Sequence, residues 1–278
     1  MHSARDQATS PQNLRAKLRR FYYHHRVIRS FTKFVPILVL LGLWEVGSGT
    51  VVTSDVLPPF SATVPEIIAL TQSPEFFTHL LDTIFRGLAG LFIAIAIAVP
   101  TGMAMGRSER VSRTLNPVVS LTYPLPKSPL IPLLVFWLGM GHLSRIMLAV
   151  VGSLLPILIS AYNGAENIQK ELLWVSKSLG LSPLEETYKV MIPAALPTIL
   201  TGVRIGMIFS FIIVISSEMI MSNTGLGVLV VQFGQYGQYA SVFATVFWIT
   251  VLVAGLDRVY LAVSNYLLRW SDQEVGGI

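Results

Sequence analysis

Six stretches of this 278-residue chain are apolar enough and long enough to cross a lipid bilayer. A transmembrane helix needs about 20 mostly apolar residues. Only 13% of the residues are charged and none is cysteine, whereas a soluble globular protein carries about 25% charged residues. This composition excludes an ordinary soluble enzyme, a disordered chain and a disulfide-stabilised secreted domain. The predicted spans cover residues 35–52, 84–105, 115–139, 143–162, 194–220 and 242–264.

The third predicted span contains five prolines between Pro117 and Pro132. Proline lacks a backbone donor and clashes with the preceding turn, so a helix cannot run straight through this series. We therefore expect a broken or wide-pitch span that packs inside protein, where its freed backbone groups find partners.

Lysine and arginine predict the orientation of the spans. Residues 1–34 hold eight of the 20 basic residues, and residues 106–114 and 163–193 hold three each. The loops 53–83 and 221–241 hold none. Because basic loops stay on the cytoplasmic side, six spans with cytoplasmic N and C termini satisfy every loop. The net charge of +5 thus reflects membrane insertion, and it gives no reason to expect a nucleic-acid partner.

A set of mostly apolar residues recurs at steps of three and four around the start of the first span, with basic residues on the other faces: Leu14, Leu18, Phe21, His25, Ile28 and Val35. This spacing predicts an amphipathic helix over 14–34 that lies on the inner surface of the bilayer. The alternative is a solvated basic tail.

The loop 163–193 is longer and more patterned than the other loops predicted on the inner face. Its spacing predicts a helix over 166–178 that ends at Gly180, a glycine at the position after the helix end. Ser182 and Glu185 predict a capping box that opens a second helix. The apolar side of this helix–turn–helix predicts either a docking site or a helix lying on the chain's own inner surface.

Several short motifs follow one another along the chain between residues 123 and 227. Gly180 precedes Pro193 by thirteen residues, and Ala194-Ala195-Leu196-Pro197 follows. This pattern resembles the EAA loop of ABC-importer permeases. Further segments resemble the nitrate/sulfonate/taurine/bicarbonate branch of that family: Tyr123-Pro124-Leu125-Pro126-Lys127, Trp137-Leu138-Gly139-Met140-Gly141, Ser217-Glu218-Met219 and Gly225-Leu226-Gly227.

The resemblance implies an all-α membrane fold with six transmembrane helices, the type I (MetI-like) importer permease fold. Residues 1–34 would form a cytoplasmic tail with the interfacial helix, and residues 35–79 the first transmembrane helix and a periplasmic loop. Residues 80–270 would form the permease domain with the coupling loop 163–193. Residues 271–278 would be a cytoplasmic tail.

The resemblance also implies a function in transport. The chain would be the subunit of an ATP-driven importer in the bacterial inner membrane, and would form the pathway for a small anionic solute. Its partners would be a second permease subunit, identical in a homodimer, two ATP-binding subunits on the cytoplasmic side and an extracytoplasmic binding protein. ATP and Mg²⁺ would bind the ATPase, and this chain would bind no cofactor or metal. The alternative is a secondary transporter or channel that works alone. Such a protein would have no need of the coupling loop.

No catalytic constellation is predicted, so the chain is expected not to be an enzyme. The sequence contains no Gly-Lys pair, which a phosphate-binding loop requires. Its five histidines are scattered and form no H-E-x-x-H motif.

The resemblance assigns the ATPase contact to the coupling loop. The E-A-A positions themselves are Trp174-Val175-Ser176, so the family's glutamate is missing. Glu171 lies one helical turn earlier and is a candidate replacement. The predicted coupling residues are Glu171, Trp174, Ser176, Gly180, Ser182, Glu185, Val190 and Pro193.

Polar residues within the predicted spans are candidates for the pathway or a gate, because ionisable groups are costly in hydrocarbon. Lys127 lies among prolines, where it would attract an anion or cap carbonyl groups. Arg86 follows Asp82 by four residues, so an ion pair within one helix is the alternative to substrate attraction. The complete set is Lys127, Ser217, Glu218, Arg86 and Tyr123.

Overall fold

The computed structural model describes residues 35–270, which form helices joined by short turns. The described residues divide into two compact units, residues 35–65 and residues 66–270. The predicted interfacial helix over 14–34 and the tail 271–278 lie outside the described residues.

The described part of the first unit contains α1 (Val35–Gly47) and the start of α2 (Phe60–Thr71). Glu45 in α1 accepts hydrogen bonds from the backbone nitrogen of Ser61 at 3.0 Å and from its hydroxyl at 2.7 Å. Since Ser61 lies in the first turn of α2, Glu45 satisfies a free backbone donor there. This contact explains an acidic residue near the end of an apolar helix.

Four helical segments of the described chain are long and apolar enough to cross a membrane, and all belong to the second unit. They correspond to the second, fourth, fifth and sixth predicted spans. They contain α3 (Pro74–Arg107), α6 (His142–Glu166), α9 (Ile192–Met221) and α11 (Tyr239–Leu267).

The third predicted span is broken as the prolines predict. Its two pieces are α4 (Glu109–Thr122) and α5 (Leu130–Leu138), which are separated by residues 123–129. The expectation that this span packs inside protein is wrong for the single chain, because most of its large apolar side chains, including Phe136, are exposed.

The predicted loops are more helical than expected. The loop 53–83 holds α2 and the first turns of α3, which begins ten residues before the predicted span because Pro74 occupies the first helical position and Glu75 lies in the first turn. The loop 221–241 holds α10 (Leu226–Gln235). This helix buries Leu226 and Leu229 in a small apolar cluster, so packing decides its conformation.

Small residues bring α3, α6 and α9 together. A Cβ atom on Gly90 would lie 2.3 Å from the Cβ of Ala149, and one on Gly202 would lie 2.2 Å from the Cβ of Ser160. Close helix packing through small residues is typical of membrane proteins. The core of the second unit is therefore the α3–α6–α9 contact.

Candidate functional site

The coupling loop forms the predicted helix–turn–helix, with shifted bounds. It contains α7 (Lys170–Ser178), α8 (Pro183–Glu186) and a π-helical turn (Thr187–Met191) that leads into α9. The predicted helix over 166–178 begins only at Lys170, because α6 extends to Glu166.

Gly180 ends α7 as predicted. Its φ of 70° lies in the left-handed region that glycine adopts readily. The backbone nitrogen of Gly180 donates to the carbonyl of Lys177 at 3.0 Å, and that of Leu181 donates to Ser176 at 3.2 Å. These two bonds form a Schellman motif, which satisfies carbonyl groups at the helix end.

The capping box predicted at Ser182 is confirmed. The hydroxyl oxygen of Ser182 accepts from the backbone nitrogen of Glu185 at 3.4 Å, and the Glu185 carboxylate accepts from the backbone nitrogen of Ser182 at 3.0 Å. Lys189 donates to the same carboxylate at 2.9 Å. The turn between α7 and α8 is therefore fixed by local bonds.

Large apolar side chains of the coupling loop are exposed: Leu172, Trp174, Val175, Leu179, Leu184 and Tyr188. Glu171 is exposed as well, while Ser176 is buried and donates to the carbonyl of Leu173. Val190 and Pro193 are half-buried. An exposed apolar surface of this size on a short helical pair is typical of a protein contact.

A buried cluster of polar side chains lies in the N-terminal half of α3. The Glu218 carboxylate, fully buried in α9, accepts from Nη1 of Arg86 at 2.7 Å and from the Thr83 hydroxyl at 2.9 Å. It also accepts from the backbone nitrogen of Gly227 at 3.2 Å. The structure thus brings together two predicted pathway residues, Arg86 and Glu218, as a buried ion pair.

Arg86 uses its remaining donors on neighbouring segments. It donates to the carbonyl and the hydroxyl of Thr224, both at 2.6 Å, and to Nδ1 of His142 at 3.2 Å. The alternative ion pair with Asp82 exists at 3.3 Å. It is longer than the contact to Glu218, which is 132 residues away in the sequence.

The same cluster holds the turn before α10. Gly225 has a φ of 121°, and a Cβ atom there would lie 2.1 Å from the Glu218 carboxyl carbon. The backbone nitrogen of Gly225 donates to Nδ1 of His79 at 2.8 Å, and that of Leu226 donates to the Thr83 hydroxyl at 2.9 Å. Sequence reasoning missed His79 as a site residue; its spacing of four from Thr83 was the available signal.

Arg145 is a second fully buried arginine. It donates to the carbonyl groups of Met140, Gly141 and Met221, and the last of these lies at the C-terminal end of α9. A cation at a helix C-terminus is favoured by the helix dipole. Its Nε atom has no partner among residues 35–270.

The other predicted pathway residues lie apart from this set of contacts. Ser217 is buried but donates to Val214 in its own helix, and Tyr123 is exposed. Lys127 borders an apolar pocket of about 320 Å³ between α3, α4 and α6. The Lys127 carbonyl accepts from the backbone nitrogen of Leu130 at 3.1 Å, while its ammonium group makes no hydrogen bond or ion pair with residues 35–270.

Known proteins resemble this chain over most of its length. It is 29% identical to the taurine transport system permease protein TauC of Escherichia coli (strain K12), over 92% of this chain and 95% of that protein. It is 28% identical to the putative aliphatic sulfonates transport permease protein SsuC of Bacillus subtilis (strain 168), over 86% and 87%. These similarities support the sulfonate and taurine branch of the predicted family.

Two solved structures share the fold. A chain of the MetNI methionine ABC transporter in an inward-facing conformation matches with a TM-score of 0.60 and 21% identity, over 72% of this chain and 100% of that chain. A chain of a bacterial alginate ABC transporter, in complex with an alginate pentasaccharide-bound periplasmic protein, matches with a TM-score of 0.61 and 12% identity, over 94% and 99%.

The family described as "Binding-protein-dependent transport system inner membrane component" matches residues 90–269, a region that contains the coupling loop, α9 and α10. With its apolar helices, this match identifies a multi-pass membrane protein. The chain belongs to the family of binding-protein-dependent transport system inner membrane components.

Proposed function

We propose that this chain forms the pathway of an ATP-driven importer for a small anion of the taurine and sulfonate type. The observation that carries the proposal is the coupling loop, whose fixed turn presents Trp174, Leu184 and Tyr188 to the surroundings. A cytoplasmic ATPase, which would hold ATP and Mg²⁺ and perform hydrolysis, would dock there. The relatives' names supply the class of solute.

The proposal includes the assembly and its orientation. Two copies of this chain pair in the bacterial inner membrane, each with six spans and cytoplasmic N and C termini, and an extracytoplasmic binding protein delivers the solute. The exposed side chains of α5 support pairing, because aromatic residues such as Phe136 and Trp137 need a cover of protein or lipid. Glu171 takes over the role of the family's glutamate, since it is exposed beside Trp174 on α7.

Lys127 is the residue we assign to the solute. Irregular backbone within a membrane usually lines a cavity, and Lys127 lies in such a break. Its pocket is otherwise apolar, so the ammonium group would attract an anion with little competition from other charges. The buried pair of Arg86 and Glu218 has no free donor or acceptor for a solute and instead forms a wall or gate at the outer end.

The first experiment tests the ATPase contact. Proline fixes φ near −65°, so Gly180→Pro removes the turn that sets α7 against α8. We expect the purified variant to lose its ATPase subunit. Gly237→Pro is the matched control, because Gly237 has a φ of 71° in the same position after α10. Equal retention of the ATPase by both variants, or transport by the chain alone, would favour the secondary transporter.

The second experiment tests the solute. Lys127→Gln removes the charge and Lys127→Arg keeps it. In vesicles with the complete complex, we expect Lys127→Gln to lower taurine import about tenfold, because the local field of one cation is lost. Lys127→Arg is expected to retain most of it. Import by Lys127→Gln at the wild-type rate would contradict the assignment.

A further inference from the structure

Arg107, the last residue of α3, contacts the coupling loop at several points. Its Nη1 donates to the Thr187 hydroxyl at 2.8 Å, to the Pro183 carbonyl at 3.3 Å and to the Met191 sulfur at 3.1 Å. Its Nη2 lies 3.5 Å from the Glu186 carboxylate. One guanidinium group therefore connects α3 to α8 and to the π-helical turn.

We propose that Arg107 is the positioning residue that transmits movement of the coupling loop to α3. The proposal rests on the proposed function, because it assumes that an ATPase moves this loop. The guanidinium group of Arg107 supports the proposal, because its N–H donors make several directional hydrogen bonds at once. Such bonds fix the relative position of two segments.

The contacts lie on an unusual segment. Thr187 and Met191 are the first and last residues of the π-helical turn, and Arg107 contacts both. A π-helical turn is rare and is frequently found at functional sites. Because it joins α8 directly to α9, a change in its winding would move the coupling loop against α9. Arg107 would carry that change to α3 as well.

Apolar packing also joins these segments, since Met103, Met105 and Met191 are buried in one cluster. Apolar packing is non-directional, so it keeps the segments together without fixing their position along each other. The hydrogen bonds of Arg107 are directional, so they fix the position of the coupling loop relative to α3.

The N-terminal half of α3 carries the buried cluster. Arg86 and Arg107 are 21 residues apart on one helix, which corresponds to about 32 Å. This length matches the hydrocarbon core of a bilayer, about 30 Å. Movement passed to Arg107 on the coupling-loop side would therefore reach Glu218 and the turn at Gly225 on the opposite side. The helix α3 is therefore a continuous link between the ATPase-facing loop and the outer turn, although Pro100 removes one of its backbone donors.

Alternatively, Arg107 only helps to set the orientation of the spans in the membrane, as predicted for the basic residues of the loop 106–114. Arg113 is the matched control, because it lies in the same loop and pairs with Glu109 at 2.6 Å on an exposed surface. Arg113→Ala removes the same charge without touching the coupling loop. Thr187→Val removes one partner of Arg107 and keeps the shape of the side chain.

The experiment measures ATP hydrolysis and taurine import together, in vesicles that hold the complete complex with its ATPase and binding protein. For Arg107→Ala we expect continued hydrolysis, with the ATP consumed per taurine imported raised about tenfold or more, because the variant loses all the directional bonds between α3 and the coupling loop. Arg107→Lys and Thr187→Val should give smaller increases. Arg113→Ala should keep the wild-type ratio.

A wild-type ratio in Arg107→Ala or in Thr187→Val would overturn the inference, even if both rates fell together. Thr187→Val decides the matter if Arg107→Ala does not fold. An increase in Arg113→Ala equal to that in Arg107→Ala would also overturn it, since charge alone would then be the cause. A wild-type complex that neither hydrolyses ATP nor imports taurine would instead refute the proposed function.

Discussion

Two arginines of α3, Arg86 in its N-terminal half and Arg107 at its last position, have opposite surroundings. The Arg86 side chain is 3% exposed and lies 2.7 Å from a carboxylate that is 0% exposed. The Arg107 side chain is 37% exposed and lies 3.5 Å from the Glu186 carboxylate, which is 10% exposed, so only the arginine of this pair reaches water. A buried pair resists separation because a lone buried charge is costly, whereas a pair near water separates easily. The comparison indicates that one end of α3 is fixed and the other can rearrange.

The largest expected effect comes from breaking the buried end. Glu218→Gln keeps the size of the side chain but leaves Arg86 without its closest negative charge. We expect a loss of about 3 kcal/mol in the free energy of unfolding, the range found when one partner of a buried pair is removed. Denaturant titration of the protein in detergent micelles measures it. A loss below about 1 kcal/mol would mean that Asp82, at 3.3 Å, neutralises Arg86 by itself.

The smaller effect belongs to the Arg107 end. Glu186→Gln makes the same chemical change in the glutamate that pairs with Arg107. We expect it to cost less than about 1 kcal/mol in the same titration, because water screens a partly exposed pair. If Glu186→Gln cost as much as Glu218→Gln, the two ends would be equivalent and the contrast between them would fail.

Local signals in the sequence predicted much of the fold. Runs of apolar residues located the four long spans, and the prolines located the break between α4 and α5. The turn at Gly180 and the capping box at Ser182 were predictable because both depend on residues within one or two helical turns. The order of the motifs also indicated the family.

The candidate site was only partly predictable. Glu218 and Arg86 stood out because charges are rare in spans, yet their pairing was not evident across 132 residues. The spacing of four between His79 and Thr83 is a weak signal, because their partners, the backbone nitrogens of Gly225 and Leu226, lie far away in the sequence. The helix α10 was missed because its support comes from the apolar cluster it shares with α11, and no local pattern shows that.

The sequence by itself determined that the chain enters a membrane, where its long helices lie and how its coupling loop turns. These properties follow from the cost of burying charge and from short-range backbone bonds. Only the tertiary structure decided which charges meet. Arg86 meets Glu218 because α3 and α9 pack against the same helix, and Arg107 meets Thr187 because α3 ends at the height of the π-helical turn. Contacts of this kind depend on the packing of small residues between helices, which brings distant parts of the chain together.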